Sequence, residues 1–521
     1  METNVNRIGN FASQLSQNHY TNGWWIAMVP LVIFAILIGS VAATGDLLII
    51  GFLVVTVAII VLAANPGALL WISVLGGLIV SGLMELYLPN LQIIRWAFAG
   101  AAILLPVAVL IRNMRPTTVA LSPMPALFFW AMAFLLLCLV TTALNWHNVG
   151  QAVFGWKSYF QVWGLLIGLA LLRQTPSLFN SLPKTMLLIG LIQLPFALQQ
   201  FLFLATQRVG MQHGIVPVDI VAGTFGASLS GGGSNAALAV FQIILASVIL
   251  SLWRTGALRR FWVLPLAGIL LVPIFINESK VSVIYILLSY LIIFWPDVVK
   301  RPLRFIAMFG FIAAMILGLI LSYGALHASG EDTSPMALVE HVIKQNTQQG
   351  IGYGIYSLNR TTSLSFWAQE QHRYGLASTL LGHGLGESRD EQTVLGLSQS
   401  MAVSRYAGMG IGLTSVTSLL WDVGVLGLLL MLGMFISAYR LAGKLSSIHA
   451  GSPWQSGWYK GIQGGIAIFT LGLAHNNFLV YHFEFQTFVL FVMGYLIHVA
   501  RHIEPEQTRV SAIQRTSRAF P

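Results

Sequence analysis

Residues 415–437 read SVTSLLWDVGVLGLLLMLGMFIS, a run with one ionisable side chain, Asp422, and long enough to cross a hydrocarbon layer. Similar runs recur near 24–43, 47–64, 67–83, 96–111, 125–144, 158–172, 184–205, 236–253, 261–276, 281–296, 305–326, 461–481 and 485–499. In lipid, backbone polar groups must be satisfied within the segment, and apolar runs of this length do so as helices. The runs therefore predict an all-α fold: a polytopic transmembrane helical bundle of about 14 spans. Its parts are eleven spans in 1–326, a large loop in 327–414, three spans in 415–499 and a basic tail in 500–521.

Composition points the same way. The 521 residues are 56% hydrophobic and 8% charged, with a mean hydropathy of +0.78. A soluble domain carries about 25% charged residues, so a cytosolic enzyme, a disulfide scaffold and a disordered chain are all excluded. The single cysteine, Cys138, lies in an apolar run and reads as a small core hydrophobe. Residues 1–23 are polar with Arg7 as their one basic residue, and the run after them is long enough to span, so a first span is expected rather than a signal peptide. Asn65-Pro66-Gly67 is a tight-turn signal between the second and third runs.

Lysine and arginine orient the set, because basic residues are retained on the cytoplasmic side. With the N-terminus inside and strict alternation, 18 of the 27 basic residues and 4 of the 17 acidic ones fall inside. Both termini are then cytoplasmic. The net charge of +10 reads as a topology signal, and no nucleic-acid partner is implied.

Most connections are short, but 327–414 spans 88 residues on the outer face, far more than joining two helices needs. Ser363–Leu381 within it reads as an amphipathic helix, with Leu364, Trp367, Tyr374, Ala377 and Leu381 near one face and Gln371 interrupting the stripe. Such a helix suits the membrane interface above a cavity. The loop's arginines, Arg360, Arg373, Arg389 and Arg405, are spaced singly, which suits individual phosphate contacts, although exposed loop arginines are commonly just solvated. Arg208 stands in a second outer segment, 206–235, whose Gly231-Gly232-Gly233 run precedes Ser234 and Asn235 at the start of a helix, where caps and anions are both accommodated. Asn277-Glu278-Ser279-Lys280 makes a very short outer turn, and Glu278 and Lys280 read either as an ion pair closing it or as functional groups. Gly382-His383-Gly384-Leu385-Gly386 leaves His383 sterically free to meet a substrate, or a bystander. Asp422, heading the sequence Asp422-Val423-Gly424-Val425-Leu426-Gly427, is either a helix-dipole partner or a catalytic carboxyl.

Taken in order, GTFG…GGGSN, the NESK turn, the long outer loop, the glycine-rich turn at 382–386 and the acidic-x-Gly-x-x-Gly element at 422–427 resemble the O-antigen polymerase/ligase family of bacterial envelope glycan assembly. Within it the chain is most similar to exopolysaccharide repeat-unit polymerases, over roughly residues 200–440. The resemblance implies a glycosyltransferase of the bacterial inner membrane. It would pass a glycan from undecaprenyl pyrophosphate to a growing acceptor at the outer face, with no nucleotide, metal or other cofactor. By the same resemblance Arg208, Lys280, Arg360, Arg373, Arg389 and Arg405 are candidates to hold the pyrophosphate, and His383, Asp422 and Glu278 are candidates for catalysis. A chain-length regulator and a flippase would be its partners. Ligases of the family show a His-Asn pair shortly before the acidic element. Here Leu413-Thr414-Ser415-Val416-Thr417 stands in its place, which favours a polymerase; His475-Asn476-Asn477 lies in a later run. The alternative class is a lipid-linked oligosaccharide flippase, but charges gathered on outer loops, with spans nearly free of them, suit a transferase better.

Overall fold

The computed structural model describes residues 65–518 apart from 92–93, 115–121, 147–148, 174–175, 209–216, 230–233, 278, 280, most of 301–355 and 391–399, together with a few positions in 51–57. The chain divides into two units, Met1–Val61 and Leu62–Pro521, and every element below belongs to the second. The runs expected at 24–43, 47–64 and 305–326 lie outside the described residues but for scattered positions.

Helices alone build the described chain. Pro66 opens α1 (Pro66–Tyr87), and Asn65 caps it by accepting from the Gly67 and Ala68 amides. The Asn-Pro-Gly signal is thus a helix start as much as a turn, since Pro at the first helical position gives up an N–H that has no partner anyway. There follow α2 (Ile94–Asn113), α3 (Ala126–Leu144), α4 (Val149–Phe160), α5 (Trp163–Leu171), α6 (Pro176–Gln199), α7 (Asn235–Arg254), α8 (Arg260–Ile276) and α9 (Ser282–Lys300). Two loop helices come next, α10 (Arg360–Glu370) and α11 (Gly375–Leu381), then α12 (Ser415–Ile448), α13 (Pro453–Gly472), α14 (Phe478–Tyr481) and α15 (Phe483–Arg518). Among the described residues seven helices are long and apolar enough to cross a membrane: Pro66–Tyr87, Pro89–Asn113, Ala126–Leu144, Ser181–Gln207, Asn235–Arg254, Ser415–Ile448 and Phe483–Ile503. Arg260–Ile276 and Ser282–Trp295 are apolar but shorter.

Two expected spans take a different form. The run at 158–172 is split, with α4 ending at Phe160 and α5 beginning at Trp163. Gln486 compensates the break: its side-chain nitrogen, with two hydrogens to give, lies within reach of the carbonyls of Ser158 (2.5 Å), Leu479 (2.7 Å) and Val480 (2.9 Å), and its oxygen accepts from Gln161 (2.9 Å). Buried polar side chains that re-satisfy freed backbone groups are what allow a helix to break inside a membrane protein. The run at 461–481 starts earlier, at Pro453, and stops at Gly472, so that His475-Asn476-Asn477 forms a turn before α14.

Small residues set the helix spacing. A Cβ on Gly164 would stand 1.8 Å from the Ala102 carbonyl oxygen, and one on Gly82 would stand 2.1 Å from that of Thr224. Helices that lack a hydrophobic drive toward one another gain most from such close approach. Between them lies a core that includes Cys138, fully buried as expected, and the ring series Phe225, Phe241, Phe488 and Phe469.

Connections expected on one side of the membrane touch one another at one end of the bundle. At the first end Asn113 donates to the Leu171 carbonyl (2.9 Å), the Ser122 amide to that of Arg501 (3.1 Å) and the Thr255 hydroxyl to that of Pro453 (2.8 Å). At the second, Arg95 meets Glu484 (3.0 Å) and Glu85 (3.1 Å), and Asn235 meets Asn277 (3.1 Å). The first end carries Arg112, Arg173, Arg254, Arg440, Lys444, Lys460 and Arg501, and is called the basic end below.

Glu484 is buried, and its carboxylate takes hydrogen bonds from Arg95 and the Ser81 hydroxyl (2.8 Å). Removing Arg95 strands that charge. Arg95→Ala is expected to cost about 3 kcal/mol, the lower end for a broken buried pair because Arg95 is itself 24% exposed. Adding Glu484→Gln should restore most of it in thermal unfolding; a double variant no more stable than the single would refute this role.

Candidate functional site

The 363–381 segment of the long loop does not lie on the bundle as one amphipathic helix. Asn359 opens α10 through a capping box with Thr362, a 3₁₀ turn follows at Gln371–Arg373, and α11 restarts at Gly375, whose φ is +84°. The expected apolar stripe is split accordingly. Leu364 and Ala377 are exposed, whereas Trp367 and Tyr374 pack with Phe366 on a cluster of Met401, Ala402, Tyr406, Ile411 and Trp421. Gln371, the interruption in the stripe, is buried beside His383, nitrogen to nitrogen 3.5 Å. The glycine inside the run breaks the 3.6-residue period, so the two halves present different faces.

The two motifs separated by some forty residues in sequence pack directly. Gly382 has φ +75° and Gly424 φ +68°, a conformation that L side chains rarely adopt. A Cβ on Gly382 would stand 2.5 Å from the Asp422 carbonyl, and one on Gly424 would stand 2.4 Å from that of Leu380. The His383 and Gly384 amides donate to the Trp421 and Asp422 carbonyls at 2.8 and 3.0 Å. Gly424 also breaks the helical path of α12, separating its first residues from the long span that follows.

Asp422 is fully buried at this junction. One carboxyl oxygen accepts from the Ser388 amide (2.8 Å), the other from the Tyr159 hydroxyl (2.9 Å) and the Gly386 amide (3.2 Å). Thr414, in a box with Thr417, caps the first segment of α12, and the Asp422 carboxyl takes its hydrogen bonds from outside α12. It ties the 382–388 turn of the loop and α4 to α12.

The predicted cations fall in different surroundings. Arg389, half-buried, donates to the Ser158 hydroxyl (3.0 Å) and lies 5.7 Å from the Tyr481 ring centroid. Arg360 donates to the His475 carbonyl (2.5 Å), the Asn346 side chain (2.7 Å) and the Asn476 side chain (3.3 Å). Arg373 is exposed and pairs with Glu370 at 3.0 Å. Arg405 is exposed over Tyr374, whose hydroxyl it reaches at 3.4 Å, and that hydrogen bond raises the pKa of its guanidinium. The Tyr374 and Tyr406 hydroxyls are 2.7 Å apart, and Tyr406 donates to Glu370 at 3.0 Å; burial and these neighbours push the Tyr406 phenol well up. Arg208 is buried on its own segment, with the Pro217 carbonyl at 3.5 Å, instead of standing with the loop arginines. Glu278 and Lys280 lie outside the described residues, as does Gly231-Gly232-Gly233. Their neighbours are placed: Asn235 and Asn277 exchange side-chain to carbonyl hydrogen bonds (3.1 and 3.0 Å), and the Ser234 hydroxyl meets His482 Nδ1 (2.9 Å) rather than capping α7.

His383 is buried between Tyr374 and Trp421, with ring centroids 4.6 and 5.6 Å away. It is therefore shielded by aromatics instead of presented to solvent.

The turn at 473–477 is the feature that sequence order concealed. The Asn476 carbonyl accepts from the Ser415 amide (3.1 Å) and hydroxyl (2.9 Å), and the Asn477 side chain donates to the Gly412 carbonyl (2.6 Å) and the Ser418 hydroxyl (2.6 Å). His475-Asn476-Asn477 thus sits at the head of α12. Burial, with Arg360 nearby, lowers the His475 imidazole to about 3, so it is neutral at working pH. Three consecutive polar residues interrupting an apolar run were the available signal.

Known proteins offer no direct comparison: no protein-family model matches the chain, and no curated protein does.

Asp422→Asn should loosen the turn, because an amide presents one acceptor oxygen where the carboxyl presents two, and an unmade buried hydrogen bond costs about 1–3 kcal/mol. Leu385 is 1% exposed. Introduced as Leu385→Cys, the position should resist a water-soluble maleimide in the otherwise native chain and react when Asp422→Asn is added. Equal labelling in both backgrounds would contradict the tether.

Proposed function

We propose that the chain is a membrane glycosyltransferase, a polysaccharide polymerase that transfers undecaprenyl-pyrophosphate-linked glycan to a growing acceptor. The observation that carries this reading is the docking of the outer loop through Asp422. It sets Arg389, the glycine-rich turn and the His475 turn around the adjoining ends of α4, α12 and α14. A reactive pyrophosphate ester arriving from the bilayer needs cations at a membrane-facing site, and the loop supplies them on a rigid span.

In the proposed reaction the acceptor hydroxyl oxygen attacks the anomeric carbon from the face opposite the pyrophosphate, with inversion. The carbon–oxygen bond to pyrophosphate breaks, and its electron pair leaves with the phosphate. The acceptor's proton passes to a base or to water. Charge grows on the leaving oxygen, so fixed cations stabilise the transition state more than the ground state. Arg389 and Arg405 are the candidates for that task. Arg360 is assigned to holding the His475 turn, and Asp422 to positioning. The neutral His475 ring is a weak base, but a bound pyrophosphate would raise its proton affinity. His383 and Glu278 are the other candidate bases.

By this reading the basic end faces the cytoplasm of a bacterial inner membrane, and a chain-length regulator and a flippase act beside the enzyme. The rival reading is export of lipid-linked oligosaccharide by the chain itself.

Cells that lack the gene and accumulate lipid-linked repeat units separate the two. Arg389→Ala and Arg405→Ala, at normal membrane abundance, should lower polymer formation roughly 100-fold for the more important cation and strand single repeats on the outer leaflet. Arg440→Ala, at the other end, should polymerise normally. Single repeats trapped on the inner leaflet would replace this reading with transport.

A further inference from the structure

At the basic end, remote from the loop, the last turn of α7, the last turns of α12 and the start of α13 surround a cavity of about 490 Å³. Beside Gly384 at the candidate site the corresponding space is about 10 Å³. Most residues that line the larger cavity are polar or charged. Ser251, Arg254, Thr255, Ser446, Ser447 and Lys460 line it, and no acid does among the described residues.

Three features mark it as built for an anion. First, its cations are pre-positioned. Arg254 pairs with Asp297 at 3.0 Å and lies over Phe294 at 5.6 Å. Lys460 gives one N–H to Gln463 at 2.8 Å, and an ammonium carries three. Second, the Ser251 hydroxyl is buried, lines the cavity and has no hydrogen-bond partner among the described residues. Its hydrogen is therefore not committed to any of the described residues. Third, the rim is fixed. Ser446 and Ser456 exchange hydroxyl to carbonyl hydrogen bonds (2.9 and 3.0 Å), tying α12 to α13.

We propose that this cavity binds a phosphate group, with Lys460 and Arg254 supplying charge and Ser251 a hydroxyl. A tetrahedral oxyanion offers several acceptors at once, which matches the further N–H groups of the Lys460 ammonium and the Ser251 hydroxyl. The cavity lies where helices end on the basic side of a membrane protein, a position where basic pockets take anionic headgroups. The same chemistry fits a free phosphate ion. The site stands whether or not the glycosyltransferase reading holds.

The full-length protein in nanodiscs of phosphatidylcholine, with and without phosphatidylglycerol, tests the lipid source by thermal unfolding. Inorganic phosphate against chloride at equal ionic strength tests the free ion. Binding should raise the Tm of the native chain in at least one arm. Lys460→Gln should need about tenfold more ligand for the same shift, since a hydrogen bond to a charged group is worth about 1.5–3 kcal/mol. Ser447→Trp, which fills the cavity from its exposed rim and leaves both cations in place, should abolish the shift. Arg440→Gln should change nothing. No shift in either arm, or equal shifts in native and variant proteins, overturns the proposal.

Discussion

A carboxyl group with no water around it must find its hydrogen bonds in the chain, and Asp422 finds three. Two come from backbone amides of the outer loop and one from a tyrosine on α4. The outer architecture follows from that constraint. The loop can satisfy the carboxyl only if its backbone comes within hydrogen-bond reach of α12, and that approach is open only to residues without side chains, hence Gly382 and Gly424. The same contact seats Trp421 in the aromatic cluster that receives α10, and brings Arg389 onto Ser158. One side chain thus joins a long connection to the membrane core.

The bundle's two ends differ in kind. The end opposite the basic one is tightly tied by polar side chains: Arg360 on the 473–477 turn, Asn235 on Asn277, Arg95 on Glu484. The basic end leaves a cavity rimmed by serines and cations. The proposed transfer from a lipid-borne pyrophosphate needs rigidity where the chemistry occurs, because misplaced cations stabilise charge poorly.

Much of this was legible in the residues. Apolar runs marked an all-helical chain, seven of whose described helices are long and apolar enough to cross a membrane. The two glycine-bearing motifs were singled out separately. Nothing in one sequence showed that Gly382 and Gly424 exist for each other, since a steric match is a property of the pair. Asp422 read as either a helix-dipole partner or a catalytic carboxyl, and its hydrogen bonds to the 386–388 backbone and Tyr159 were not legible in the sequence. The amphipathic helix over 363–381 failed at Gly375, whose left-handed backbone ends one helical period and starts another. The 473–477 turn was hidden inside a run apolar enough to pass for a span. Periodicity reports which residues avoid water, and it is silent on which distant segments share their hydrogen bonds.

The central claim, that the loop and α12 form a site for glycan transfer from a polyprenyl pyrophosphate, is tested most directly by reconstitution. Purified protein in nanodiscs would be given a synthetic polyprenyl-pyrophosphate-linked repeat unit and an acceptor glycan, with no nucleotide supplied. The account predicts lengthened glycan together with an equal amount of released polyprenyl pyrophosphate, both diminished by Arg389→Ala. Intact substrate after prolonged incubation with folded protein, across the cognate range of repeat units, would contradict it.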